Sequence, residues 1–129
     1  MSAVVWWAVA AAVVVALARL LIGPIQRGRD VLARRRQARQ RAEELLLAWL
    51  SPEQRVQYRT SGRFEVTTAA GHRYRVCPGG VVRLDPRGWA YCIEATTPVP
   101  LADELLAFKL LLETDERRFL ATAHRYHHR

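Results

Sequence analysis

At 129 residues the chain has room for an anchor and one small domain, and a second independent domain is excluded. The formal net charge is +8, and all but one of the twenty cations are arginine, the exception being Lys109. Two cysteines, Cys77 and Cys92, are too few for a disulfide framework, and the absence of Asn removes any N-glycosylation acceptor.

From Ala3 to Ile22 the sequence is apolar apart from Arg19. A helix of about twenty residues at about 1.5 Å rise matches the hydrocarbon thickness of a bilayer. Trp6 and Trp7 stand near one end of this span, where indole rings favour the membrane interface. Arg19 stands near the other end, from which its guanidinium can snorkel to the headgroups. Residues 1–23 therefore read as a transmembrane anchor, with a bend or break expected at Gly23-Pro24. A cleaved secretory signal is the rival reading, because Ala16-Leu17-Ala18 fits a cleavage pattern. It is opposed by an amino terminus without positive charge and by an apolar run that continues past the site. A buried helix of a soluble protein is the other alternative, opposed by a run that is apolar on every face. Ala8, Ala12 and Ala16 recur at four-residue spacing and form a small-residue stripe on which another membrane helix could pack.

Residues 24–50 read as a basic amphipathic connecting helix. Arg27, Arg29, Arg34, Arg35, Arg36, Arg39 and Arg41 are opposed within their stretch only by Asp30. No Lys or Arg precedes the apolar span, so the charge asymmetry places the amino terminus outside and the rest in the cytoplasm. The expected location is the bacterial cytoplasmic (inner) membrane, crossed once. The expected contacts of Arg27, Arg29, Arg34, Arg35 and Arg36 are anionic headgroups, each worth about 1 kcal/mol near the surface. A basic arm held beside a membrane meets lipid before nucleic acid, so nucleic acid is the lesser candidate. The following segment, LLLAWL, is too apolar for an exposed stalk and is expected to pack on the domain or on a partner.

Residues 51–129 read as a small α+β domain: a helix, a four-stranded antiparallel sheet, and one or two helices. Ser51-Pro52-Glu53-Gln54 has the capping-box pattern, and Gly62 suits a left-handed helix stop. Alternation then takes over. Phe64, Val66, Tyr74, Val76, Val82, Leu84, Trp89, Tyr91 and Ile93 form the expected inner face, with turns at Ala70-Gly71, Pro78-Gly79-Gly80 and Asp85-Pro86-Arg87-Gly88. Arg63, Arg73, Arg75 and Arg83 form the expected solvated face. Leu101, Leu105, Phe108 and Leu112 supply a helix to cover the apolar side, and Phe119, Leu120 and Ala123 complete it. Thr114-Asp115-Glu116 either continues that helix or starts another.

The string S-P-E-Q-R…Y-x-x-S-G-x-F-x-V…G-x-x-Y-R-V…Y-C-I…P-L-A-D-x-L-L-A-x-K-L-L-L-E-x-D-E-x-x-F-L resembles a small domain of uncharacterised bacterial and phage proteins. The resemblance covers about residues 45–124. It implies a fold unit and no catalytic residues, because that family has no assigned activity.

Little points to chemistry. His124, His127 and His128 could share a helical face and hold a metal, but a solvated tail explains them as well. The serines are Ser2, Ser51 and Ser61, none in a nucleophile setting, and Pro78-Gly79-Gly80 lacks the Lys and helix of a phosphate loop. Neither cofactor nor small-molecule substrate is expected. The leading expectation is a non-catalytic, membrane-anchored interaction or accessory module, and the alanine stripe extends it to a small subunit of a larger membrane complex. A stand-alone tethered protein that binds a soluble partner or nucleic acid is the alternative.

Overall fold

The computed structural model describes residues 2–85, 89–94 and 96–127. The chain divides into two compact units, Met1–Gln37 and Ala38–Arg129. The first helix, α1 (Ser2–Trp49), contributes to both and is 48 residues long. Gly23-Pro24 does not end it, contrary to the break expected there, and Pro24 lies inside the helix. A proline removes one backbone donor, and the flanking turns of Leu, Ile, Arg and Gln are strong enough helix formers to continue across it.

The unit Ala38–Arg129 has an α+β fold. After the end of α1 come α2 (Pro52–Ser61), β1 (Phe64–Thr67), β2 (Arg73–Cys77), β3 (Gly80–Arg83) and β4 (Trp89–Cys92). Helices α3 (Leu101–Thr114) and α4 (Glu116–Thr122) follow, and β5 (His124–His127) closes the chain. The strands form one antiparallel sheet in the order β1-β2-β3-β4-β5. The core lies on one face of the sheet, where Phe64, Val66, Tyr74, Val76, Val81 and Tyr91 meet Leu105, Phe108 and Leu112 of α3 and Phe119 of α4. Ala42, Leu46 and Leu50 of α1 belong to the same core. Residues 38–50 are thus part of the globular unit, and the apolar segment LLLAWL is divided: Leu46 and Leu50 are buried while Leu45 and Trp49 are exposed.

Local signals set the helix ends. Ser51 Oγ accepts from Gln54 N at 3.2 Å and Gln54 Oε1 accepts from Ser51 N at 3.1 Å, which completes the capping box. Gly62 ends α2 in the left-handed region at φ 71°. Asp115 separates α3 from α4 and caps the latter by accepting from Arg118 N. Lys109, the lone lysine, is buried on α3 at 6% exposure and donates to Glu113 one turn on.

Two expectations about the sheet need correction. The first concerns β3. A two-residue connection, Pro78-Gly79, sets Gly80 opposite Cys77, and therefore Val81 opposite Val76 and Arg83 opposite Tyr74. Val81 enters the core in place of Val82, and Arg83 leaves the solvated face to stand over the Tyr74 ring at 5.8 Å. A one-residue difference in where the strand begins exchanges every side chain between faces. The second concerns the strand count, which is five rather than four. The segment read as a solvated tail pairs along β4, with Tyr91 opposite Arg125 and Cys92 opposite His124. The turn expected through residues 86–88 lies outside the described residues.

Side chains hold β5 from both sides of the sheet. Arg125 places its guanidinium 4.0 Å from the centre of the Trp89 ring. On the opposite face the Tyr126 hydroxyl lies 3.5 Å from where a Cβ on Gly80 would be. That same Cβ would stand 2.6 Å from the Tyr91 carbonyl oxygen, a backbone atom that cannot swing aside. Gly80→Ala is therefore expected to cost about 2 kcal/mol through overpacking. It should lower the thermal midpoint of the detergent-solubilised chain and speed hydrogen exchange in β3, β4 and β5. An unchanged midpoint would refute this account of Gly80.

Candidate functional site

The described residues carry a partly buried cluster of four polar side chains, and it joins elements distant in sequence. Thr68 and His72 flank the β1–β2 turn, Tyr74 lies on β2, and Glu116 is the first residue of α4. Gly71, at φ 82°, lets that turn close, and Thr68 N donates to His72 O across it at 2.9 Å. Tyr74 is fully buried because its ring packs edge-on against Tyr91 and Phe119. Its hydroxyl reaches out of the core and donates to Glu116 Oε1 at 2.5 Å. His72 Nδ1 lies 2.8 Å from the same oxygen and Thr68 Oγ1 donates to Oε2 at 2.8 Å.

Both carboxylate oxygens are thereby engaged. Burial opposes its charge, but hydrogen bonds from Tyr74, Thr68 and His72 outweigh burial and hold Glu116 below the usual carboxylate range. Burial, the bond to Glu116 and that residue's charge push the Tyr74 hydroxyl well above its ordinary value. Glu116 thus stays ionised and the Tyr74 hydroxyl stays protonated across the neutral range. A carboxylate with both oxygens engaged is a poor proton acceptor, so the cluster is suited to pinning α4 onto the β1–β2 turn. Beside it runs a shallow groove lined by Ala69, Ala70, Leu112, Glu113 and Thr114.

A second, smaller link joins α1 to α2. The Tyr58 hydroxyl donates to Glu43 at 2.9 Å, and burial together with that carboxylate pushes it up to about 12. Arg55 Nε donates to Leu47 O at 2.7 Å, which occupies one of the carbonyls left open at the end of α1.

No family model, curated protein or solved structure matches this chain.

The membrane-interface and helix-packing residues expected from the sequence all lie on α1, and none belongs to the Glu116 cluster. Trp6 and Trp7 are exposed at 73% and 78%, and Arg19, Arg27, Arg29, Arg34, Arg35 and Arg36 are exposed as well. Ala8, Ala12 and Ala16 are likewise uncovered. The described helix is long and apolar enough to cross a membrane, and none of its most apolar window is buried within the chain. Among the histidines, His124 stands in a strand rather than on a helix, so helical spacing does not gather it with His127; His128 lies outside the described residues. Cys77 and Cys92 are free thiols flanking buried core positions on β2 and β4, and burial pushes the Cys77 thiol up.

On the open face of the sheet, Glu65 binds Arg73 at 2.9 Å and Arg75 at 3.0 Å. These bonds to Arg73 and Arg75 hold the Glu65 carboxyl below its usual range. Two of the three arginines on that face are thus internally paired, which leaves less positive charge for a polyanion than the sequence suggests.

The Glu116 cluster was missed in the sequence. The available signal was weak: a Glu at the start of a helix, with Thr, His and Tyr around one hairpin turn.

Proposed function

We propose that this chain is a membrane-anchored, non-catalytic interaction or accessory module. Residues 3–22 cross the bacterial inner membrane once with the amino terminus outside, and the α+β unit stands in the cytoplasm. Arg27, Arg29, Arg34, Arg35 and Arg36 meet anionic headgroups, and the Ala8, Ala12 and Ala16 stripe receives a helix of a partner membrane protein. The observation that carries this reading is the uncovered apolar helix. Its exposed Val, Leu, Ile and Trp side chains have no cover among the described residues, and lipid supplies one. The engagement of both Glu116 carboxylate oxygens supports a structural rather than catalytic role for this polar cluster.

The test has two arms. Membranes from cells producing the full chain are washed with alkaline carbonate and floated, and reporter fusions at each terminus show which side it faces. The chain should float with the membrane, with a cytoplasmic carboxyl terminus. Recovery in the soluble fraction would overturn the anchor. Mild detergent extraction and native electrophoresis of the endogenous protein should then show a complex larger than a monomer. A lone monomer would overturn the subunit assignment and favour a stand-alone tethered protein.

A further inference from the structure

The two edges of the sheet are treated differently. At β1 the side chains of α2 close the edge. Gln54 Nε2 donates to Glu65 O at 2.8 Å, and Gln57 Oε1 accepts from Glu65 N at 2.8 Å. Those backbone groups are the ones an added strand would use. At the other edge β5 is the last strand in the order, and β4 is the element it packs against most among the described residues.

Open edges are usually guarded by a charged side chain directed along them. Here the charge is folded back, because the Arg125 guanidinium lies over the Trp89 ring at 4.0 Å. Tyr126 reaches Gly80 across the other face, and among the described residues no strand pairs with the outer side of β5, which leaves that side as a template. The strand reads His124-Arg125-Tyr126-His127 and contains no acid, and His124 and Arg125 are exposed.

We propose that β5 is a docking edge that takes an extended, acidic segment of a partner protein as a sixth strand. Backbone hydrogen bonds would supply the pairing, and carboxylates at alternate positions would fall on the face of the sheet that carries Arg125. A second copy of this chain fits less well. Pairing β5 with itself would bring two cationic strands side by side, an arrangement that like charges disfavour. The proposal rests on the reading of the chain as an interaction module and does not depend on its anchor.

The full chain in neutral detergent micelles is titrated with a labelled peptide of alternating Val and Glu, followed by fluorescence anisotropy. Its counterpart with Lys in place of Glu, and an acidic version N-methylated at alternate residues, serve as controls. Both controls should bind at least about tenfold more weakly, the first by charge and the second by loss of backbone donors. Hydrogen exchange of the β5 amides should slow with the acidic peptide. Arg125→Gln should weaken the acidic peptide, and Arg125→Glu should reverse the preference between acidic and basic peptides.

Equal binding of acidic and basic peptides would overturn the proposal, as would full binding of the N-methylated one or unprotected β5 amides. A detergent-solubilised dimer with β5 amides already protected would assign the edge to a second copy and overturn it too. Flotation reads the anchor separately, so failure of the docking edge and failure of the membrane reading are distinguishable.

Discussion

Glu116→Ala is expected to destabilise the globular unit by about 3 kcal/mol, more than a typical single substitution. The change removes three hydrogen bonds at once and leaves the Tyr74 hydroxyl inside a fully buried residue without its acceptor. The cost of an unsatisfied buried group exceeds the net value of the bond it lost, which is why truncating the acceptor is worse than truncating a donor. Tyr74→Phe should therefore cost nearer to about 1 kcal/mol, because the carboxylate keeps Thr68 and His72. In the double variant the two effects should fall short of their sum, since both act on one bond. Urea denaturation of the four proteins measures this. Additive effects would show that Tyr74 and Glu116 are not coupled.

The same cluster dictates a pH dependence with a definite sign. Glu116 has a folded pKa below its unfolded value, so the folded state binds fewer protons and ionisation favours folding. That contribution is fully present above the unfolded carboxylate value of about 4.3 and is lost as pH falls through the folded pKa. Glu116→Gln keeps the shape but cannot ionise, so its deficit against the parent should be largest at neutral pH. It should shrink steadily below about pH 4. A deficit that stays constant between neutral pH and strong acid would mean that charge at residue 116 plays no part.

How much of this was legible in the sequence depended on range. The capping box at Ser51 and Gln54 and the stop at Gly62 were readable because each is decided within a few residues. The apolar run before Gly23 was readable because composition alone sets its hydropathy, although composition did not reveal that α1 continues through Pro24. The inner face of β3 was misassigned because Val81 and Val82 are equally apolar, and the two-residue turn decides between them. The fifth strand was invisible because its support is non-local. Arg125 needs Trp89, and Tyr126 uses the space that Gly80 leaves, over forty residues earlier in the chain. The Glu116 cluster has the same character, since its partners are separated by 42 to 48 residues. Local chemistry names helix ends; a buried polar cluster is made by topology.

The boundary of the globular unit leads to the other large effect. Composition places the boundary after Leu50, yet Ala42, Leu46 and Leu50 are buried at 4%, 0% and 2% exposure. A fragment of residues 38–129 retains all three, together with the Tyr58–Glu43 and Arg55–Leu47 bonds. A fragment of residues 51–129 loses them. Deleting two buried leucines costs roughly 2–5 kcal/mol each, and the strip of sheet and helix they covered would be left facing water. Set against a total of about 5–15 kcal/mol for a small domain, that loss is sufficient to unfold it. The longer fragment should show a single cooperative urea transition, whereas the shorter one should show none. Equal midpoints for the two fragments would refute the inclusion of α1 in the core. The contrast also separates two roles of one helix. Its turns from Ala38 onward complete a core, whereas the turns through Gln37 belong to the other compact unit and include an exposed apolar stretch long enough to cross a membrane.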